Sequence, residues 1–521
     1  MTAETLDRPK VNRWIVAIAV MSSAVMEVLD TSVVNVSLPH IAGSLSATVD
    51  EATWVLTSYL VANAIILPIT GWLAASFGRK RLLMTVVSGF TLSSILCGLA
   101  PNLPALVFFR IMQGTTGGGL QPLSQAVLLE EFPPEERGKA MAFWGVGIVV
   151  MPILGPIVGG WLTDTYSWRW VFYINVPIGL LSLVLINLFI WDPPYLRRKL
   201  LHVDFWGLGM LAVGIAALQI MLDKGQEDDW FASHLIVVLA VVAVAVLTLF
   251  VIHELRTKQP IVHLRLLSYR TFAAGVGLIT VLGVVLYGSL VVLPLFLQTL
   301  MGYSAETAGM LTSPRGIGTM IFMPIAGILL SRRWDARILI TTGLLLSSTA
   351  LLAFSHLTLD AGVWHLVRLG IWQGTGLALI FVPLTTATMD PIPQEEMGFA
   401  ASIYSLTRNI GGSIGIAFST TLIARRSQFH QSRLASEITG YGQAAHSALA
   451  GAQSLFLQHG SSPTTAAQQA MAELYGIVRR QAAYMSYLDV FHSLALAFLT
   501  LLPIVWIMRK PRTGRKVPVV E

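Results

Sequence analysis

The sequence predicts an all-α polytopic membrane protein with fourteen spanning helices. Three observations predict it. Only 12% of the 521 residues are charged and 54% are hydrophobic, with a mean hydropathy of +0.69, whereas a soluble chain carries about 25% charged residues. So little charge cannot wet the surface of a soluble protein of this length, and lipid must be the solvent. Apolar runs of about 20 residues, enough to span a hydrocarbon core, recur along the whole chain. Lysine and arginine also concentrate in alternate connecting segments, as they do when every second segment is cytoplasmic.

In chain order the spans fall at roughly 14–38, 53–74, 81–100, 104–129, 138–162, 169–191, 203–222, 232–252, 271–298, 304–330, 338–356, 363–389, 397–424 and 488–508. The first apolar run, Trp14 to Val36, follows a short basic tail. It is too long for a secretory signal and contains Glu27 and Asp30, so it reads as an uncleaved first span. The even count rests on reading 203–222 and 232–252 as two spans rather than one re-entrant element.

With the N-terminus cytoplasmic, the inside segments hold 23 of the 34 lysines and arginines and the outside segments seven, of which only Arg169 and Lys224 lie in short loops. Both termini are therefore expected in the cytoplasm. The pI of about 9.4 and net charge of +6 reflect this orienting charge, and a nucleic-acid partner would need a basic face that the chain lacks. Cys97 is the only cysteine, which excludes an intrachain disulfide and a cysteine metal cluster.

Three blocks recur in register. Gln113-Gly114-Thr115, Pro122-Leu123 and Pro133 to Ala140 return as Gln373-Gly374-Thr375, Pro383-Leu384 and Pro393 to Ala400. Each pair of blocks has the same orientation, the parallel repeat of one large transporter class. The expected organisation is a cytoplasmic tail at 1–13, a six-helix bundle at 14–191, a linker with two inserted spans at 192–260, a second six-helix bundle at 261–508 and a cytoplasmic tail at 509–521. The second bundle includes an extracytoplasmic segment, 427–487, rich in Ala, Gln, Ser and His. That segment is long for a loop, and 466–484 has the pattern of an amphipathic helix. It is either a tolerated insertion or a docking surface for an extracytoplasmic partner.

Ionisable residues inside spans are costly and mark function by default. Six stand out: Glu27, Asp30, Arg110, Arg315, Arg368 and Arg408. Glu27 and Asp30 lie three apart and share a helix face. Like charges held together in low dielectric resist being ionised together, so such a pair can exchange a proton, or it can simply hydrogen-bond neighbouring helices. Asn35 is expected to continue the polar stripe. Arg110 either snorkels to the interface or faces the first helix and responds to protonation there. Gln113, Gln373, Arg408 and Asn409 complete the candidates for a polar site or substrate cavity. The fifth span carries Gly147, Pro152, Gly155, Pro156, Gly159 and Gly160; glycines four apart admit a close helix neighbour and the prolines bend the helix. Gly411, Gly412 and Gly415 echo it in the second half. No Gly-rich stretch ends in the Gly-Lys-Ser/Thr of a phosphate-binding loop, and no cluster of nucleophile and base suggests an enzyme.

These residues resemble the major facilitator superfamily, and within it the fourteen-helix proton-linked drug exporters of the EmrB and QacA type, nearer the EmrB branch. Leu29-Asp30-Thr31 through Leu38-Pro39 is similar to that branch's first-helix signature. Gly71-Trp72-Leu73-Ala74-Ala75-Ser76-Phe77-Gly78-Arg79-Lys80 resembles the superfamily's latch loop between the second and third helices. Arg110 with Gln113 and Gly114 resembles the fourth-helix motif, and Gly147 through Gly160 the fifth-helix antiporter motif. The resemblance implies proton coupling through Asp30, Glu27 and Arg110, an inner gate at Gly71, Gly78, Arg79 and Lys80, and export driven by the proton gradient without a cofactor. It implies lipophilic or amphipathic small molecules as substrates and the bacterial cytoplasmic (inner) membrane as location. A periplasmic adaptor and an outer-membrane channel are the implied partners. Ala75 departs from the pattern, since the superfamily usually has aspartate there, so another contact must hold the gate. The rivals are a specific proton-linked exporter or importer of a single metabolite, and a sensor or scaffold that moves nothing.

Overall fold

A computed structural model of the chain describes residues 12–192, 204–257, 259–437 and 443–508, and every regular element among them is helical. Expectations about both tails beyond residues 12 and 508, about 193–203, Lys258 and 438–442 lie outside the described residues.

The helices run in the order α1 (Arg13–Ser44), α2 (Trp54–Phe77), α3 (Arg79–Leu99), α4 (Leu103–Gly117), α5 (Leu120–Glu131), α6 (Arg137–Thr165) and α7 (Trp170–Phe189). Then come α8 (Phe205–Lys224), α9 (His234–Arg256), α10 (Arg270–Thr299), α11 (Pro314–Ser331), α12 (Ala336–Phe354), α13 (Val363–Met389), α14 (Met397–Glu437), α15 (Gln443–Gln458) and α16 (Pro463–Leu499). Short polar residues start many of them by accepting an orphan backbone N–H. Asn12 Oδ1 accepts from Trp14 N at 3.0 Å, Asn102 Oδ1 from Ala105 N at 2.9 Å and Asp204 Oδ1 from Gly207 N at 3.0 Å.

Among the described residues eleven helices are long and apolar enough to cross a membrane, and twelve if α6, bent by 41° where Pro152 interrupts it, is one span. Two expected spans are helical without meeting that standard. The stretch 104–129 is broken between α4 and α5 at Gly117-Gly118-Gly119, where three residues of poor helix propensity follow one another. The stretch 397–424 lies in α14, whose first half carries Ser402, Ser405 and Arg408 as buried residues; it faces protein more than lipid. By contrast α9 exposes Val238, Val241, Val244 and Leu249, a face suited to hydrocarbon.

The segment expected as a long loop at 427–487 is mostly helix. α14 runs on to Glu437 and α16 begins at Pro463, well before the span expected at 488. Alanine and glutamine favour helix, and the extension is pinned: Arg426 Nε and His430 Nε2 both reach Asp489 Oδ2, at 2.6 and 2.7 Å. Within α16 the buried face includes Ala466, Ala470, Val478 and Ala482, as an amphipathic helix requires.

α1 packs on α6 and α7, and α2 and α3 pack on α4. In the second half α10 packs on α14, and α13 on α11 and α12. The two groups meet where α6 lies on α11 and where α14 crosses α5 and the end of α2. α8 and α9 pack on each other, and α8 touches both α2 and α14.

Candidate functional site

α1 delivers Glu27 and Asp30 into the protein, Asp30 fully buried and Glu27 nearly so. Their partners differ. Asp30 Oδ2 accepts from Arg110 Nη1 at 2.6 Å, and Asp30 Oδ1 accepts from Gln113 Nε2 at 3.0 Å and from Asn175 Nδ2 at 2.7 Å. Gln113 and Asn175 also both donate to Ser94 Oγ, at 2.7 and 2.9 Å. Arg110 is 0% exposed, which decides against snorkelling. Two turns into α4 it turns toward α2, where its Nε donates to the Val55 carbonyl at 3.0 Å and its guanidinium lies 4.1 Å from the centre of the Tyr59 ring. A buried ion pair of this kind is retained only when most of its remaining donors and acceptors are met; Val55 of α2, Gln113 of α4 and Asn175 of α7 meet them here, Ser94 of α3 holds the two amides in place, and Arg110 Nη2 alone is left without a partner among the described residues.

Glu27 faces elsewhere. Its Oε1 accepts from Asn63 Nδ2 at 2.8 Å, while its buried Oε2 has no hydrogen-bond partner among the described residues. Arg408 of α14 is near enough to attract it. Arg408 Nη2 donates to Gln121 Oε1 of α5 at 2.5 Å and its guanidinium lies 5.9 Å from the centre of the Trp144 ring. Trp144 in turn stacks on Phe381 of α13, ring centroids 6.1 Å apart. This is a polar bridge between the two helix groups.

The remaining polar candidates do not converge on one cavity. Gln113 belongs to the Asp30 cluster. Gln373 is buried beside Ser289 and Arg315 in the second group. Asn409 is half-buried, and its carbonyl accepts from Ser413 Oγ. Asn35 is exposed and does not extend the stripe, because five helical steps of about 100° turn it well away from Asp30. Arg368 is exposed and pairs with His365 Nδ1 at 3.2 Å. Ser94 and Asn175 carry no formal charge, so a search for ionisable groups passes over them.

The antiporter-motif glycines of α6 mostly face α1. A Cβ on Gly159 would stand 2.9 Å from the Val33 carbonyl, one on Gly155 would run into Ser32, and one on Gly147 would meet Met21 Sδ at 3.1 Å. Gly160 faces open space.

At the junction between α2 and α3 the charges are met by residues from elsewhere in the chain. Ala75 contributes no charge, but Arg79 pairs with Glu130 at the end of α5, both nearly fully buried. Gly78 has φ +85°, a left-handed conformation that favours glycine. It lets Asp192 approach, whose Oδ1 accepts from Lys80 N at 2.9 Å. Lys80 Nζ donates to the Asn187 carbonyl at 2.6 Å. Asp192 thus caps α3 from beyond the end of α7. Asp192→Ala is expected to lower stability by about 1 kcal/mol, the usual worth of such a cap, read as a shift in thermal unfolding of the detergent-purified protein.

A cleft of about 280 Å³ lies where α8 meets α2 and α14, lined by Leu60, Gln219, Leu222, Asp223, Ser413 and Ile416 among others. α8 is fastened to both sides of it. Asp223 accepts from Thr57, Lys224 Nζ donates to Thr53 Oγ1 at 2.7 Å, and Gln219 Nε2 donates to Ser413 Oγ at 2.8 Å. Among the described residues no group of His, Cys, Asp and Glu is arranged to hold a metal ion.

Known proteins resemble the chain over nearly its whole length. It is 39% identical over 507 residues to the multidrug export protein EmrB of Haemophilus influenzae, covering 95% of this chain and 96% of that one. It is 37% identical over 490 residues to the fatty acid resistance protein FarB of Neisseria gonorrhoeae, covering 93% and 94%. The crystal structure of the human organic anion transporter MFSD10 (TETRAN) superposes with a TM-score of 0.60 at 14% identity, covering 96% of this chain and 100% of that one, a likeness of fold alone. Residues 20–416 match the Major Facilitator Superfamily, and with the relatives above they establish that the chain belongs to that superfamily, in the branch of the EmrB-type exporters.

Proposed function

We propose that the protein is a proton-coupled antiporter that exports amphipathic or lipophilic toxic compounds by alternating access. The observation that carries this reading is the fully buried Asp30–Arg110 pair, in a chain whose relatives include multidrug export proteins. A proton arriving at Asp30 neutralises the partner of Arg110, and the guanidinium must then find other acceptors, which changes the packing of α4 against α1 and α2. Glu27 is the second proton carrier, and its charge is felt across the bridge to Arg408. Each proton moving inward gains about 2.3 kcal/mol per 100 mV of membrane potential.

Fourteen spans follow when the bent α6, the broken α4–α5 and α14 are each added to the eleven helices that qualify by length and hydropathy. They divide into six, an inserted pair α8 and α9, and six, with both termini cytoplasmic and the bacterial inner membrane as location. The repeated blocks and the lysine and arginine bias support this arrangement. The junction of α2 and α3, from Gly71 through Gly78 to Lys80, is the inner gate, and Arg79–Glu130 with Asp192 replaces the usual acid. The amphipathic cleft beside α8 suits the passage of compounds with an apolar body and a polar head. The helical extension of α14, α15 and α16 is the surface for a periplasmic adaptor of a tripartite pump with an outer-membrane channel.

Everted membrane vesicles test the core of this reading. An acid-interior gradient is expected to drive accumulation of an amphipathic dye, and an uncoupler to abolish it; accumulation that persists without the gradient would refute proton coupling. Arg408→Met is expected to slow this transport by about tenfold or more, the worth of one charge-assisted hydrogen bond, in protein that still reaches the membrane in the parent amount. Unchanged transport would remove the bridge from the mechanism.

A further inference from the structure

Among the described residues of the second half, one buried arginine has no acid to match it. Arg315, at the second position of α11, is 5% exposed and its Nε has no hydrogen-bond partner; Gln373 is 1% exposed and its Oε1 has none. Among the described residues Arg315 makes no ion pair, and its Nη1 reaches only Ser289 Oγ, at 3.4 Å. Gln373 Nε2 reaches the same oxygen, also at 3.4 Å.

The first half shows what the pattern ordinarily contains. Gln373 is the repeat mate of Gln113, and there too a buried arginine and this glutamine converge on one residue. That residue is Asp30, at 2.6 and 3.0 Å. The second half offers a hydroxyl where the first offers a carboxylate. Serine cannot balance a guanidinium, and the Ser289 hydroxyl already donates to the Leu286 carbonyl at 3.0 Å. Burying an unbalanced cation is far costlier than burying a paired one.

We propose that Arg315 and Gln373 bind, beside Ser289, a monovalent anion, either free chloride or a carboxylate headgroup, which supplies the charge that Asp30 supplies in the first half. The side-chain amide of Gln373 can turn its NH2 toward the anion as Gln113 turns its own toward Asp30, since the two amide orientations differ little in shape.

The test is thermal unfolding of the purified protein in detergent at constant ionic strength, with HEPES as the only anion and then with chloride or acetate. The unfolding temperature is expected to rise by about 3 °C or more with one of these anions present at many times its dissociation constant. A rise with chloride assigns a resident inorganic ion, and a rise with acetate alone assigns a carboxylate headgroup. Ser289→Asp builds the missing carboxylate into the chain and is expected to abolish the anion effect while leaving the protein at least as stable as the parent in HEPES. Arg315→Met should abolish it by removing the cation. Equal shifts in the parent and in Ser289→Asp, or no shift in the parent with either anion, would overturn the proposal. Both readouts are independent of transport, so they stand apart from any failure of the antiport reading.

Discussion

Asp30→Asn is expected to bring proton-driven export to background, and it should cost stability as well. Asparagine keeps an oxygen for one of the donors on Gln113 and Asn175, but it cannot bind and release a proton and it leaves Arg110 without a counter-charge. Breaking a buried pair on one side costs about 3–5 kcal/mol. A loss of export in the single variant is therefore open to a trivial explanation, and the double variant Asp30→Asn with Arg110→Gln removes it. With both charges gone the buried site is neutral, and replacing a buried ion pair by neutral groups is often tolerated. The double variant is expected to recover the unfolding temperature of the parent within a few degrees and still show no proton-driven dye accumulation in everted vesicles. Export at the parent rate in either variant would exclude Asp30 as the proton site.

That pairing was legible in the sequence only in part. Long apolar runs make spans visible because lipid demands them of every crossing segment, and buried charge inside such runs is rare enough to be noticed. The sequence therefore offers Glu27, Asp30 and Arg110 as candidates, and the fourth-helix resemblance suggests that Arg110 and Asp30 cooperate. It does not offer Ser94 or Asn175, because neutral polar residues inside spans are too common to stand out, although Asn175 sits within an otherwise apolar run. Nor does it separate Glu27 from Asp30, whose partners come from different helices: Asn63 for one, Arg110, Gln113 and Asn175 for the other. The acids that meet Arg79 and Lys80 beside Ala75 are Glu130 and Asp192, far along the chain, where no local pattern could announce them. The break at Gly117-Gly118-Gly119 and the alanine-rich helix of α16 were written in local propensity. A count based on hydropathy averages over both.

The second large effect concerns Gly71, near the end of α2. A Cβ there would stand 2.7 Å from both N and Cα of Phe399 at the start of α14. The atoms in the way are backbone, and the ring of Phe399 stacks on that of His263 with centroids 3.9 Å apart. Closely packed contacts of this kind lose about 1–3 kcal/mol when side-chain atoms are forced into them, and the loss falls on the state in which the two helix groups meet at this end. Gly71→Val is thus expected to hold the groups apart here and to reduce export by roughly tenfold or more. The opening can be read directly. Ala142, near the start of α6, is 1% exposed and lies against Gly327 of α11, in the other contact between the groups, and the single native cysteine, Cys97, is fully buried. A cysteine introduced at Ala142 is expected to resist a membrane-impermeant thiol reagent in the parent and to react in the Gly71→Val background. If it stays protected there and export continues at the parent rate, the contact between Gly71 and Phe399 does not gate this end of the protein.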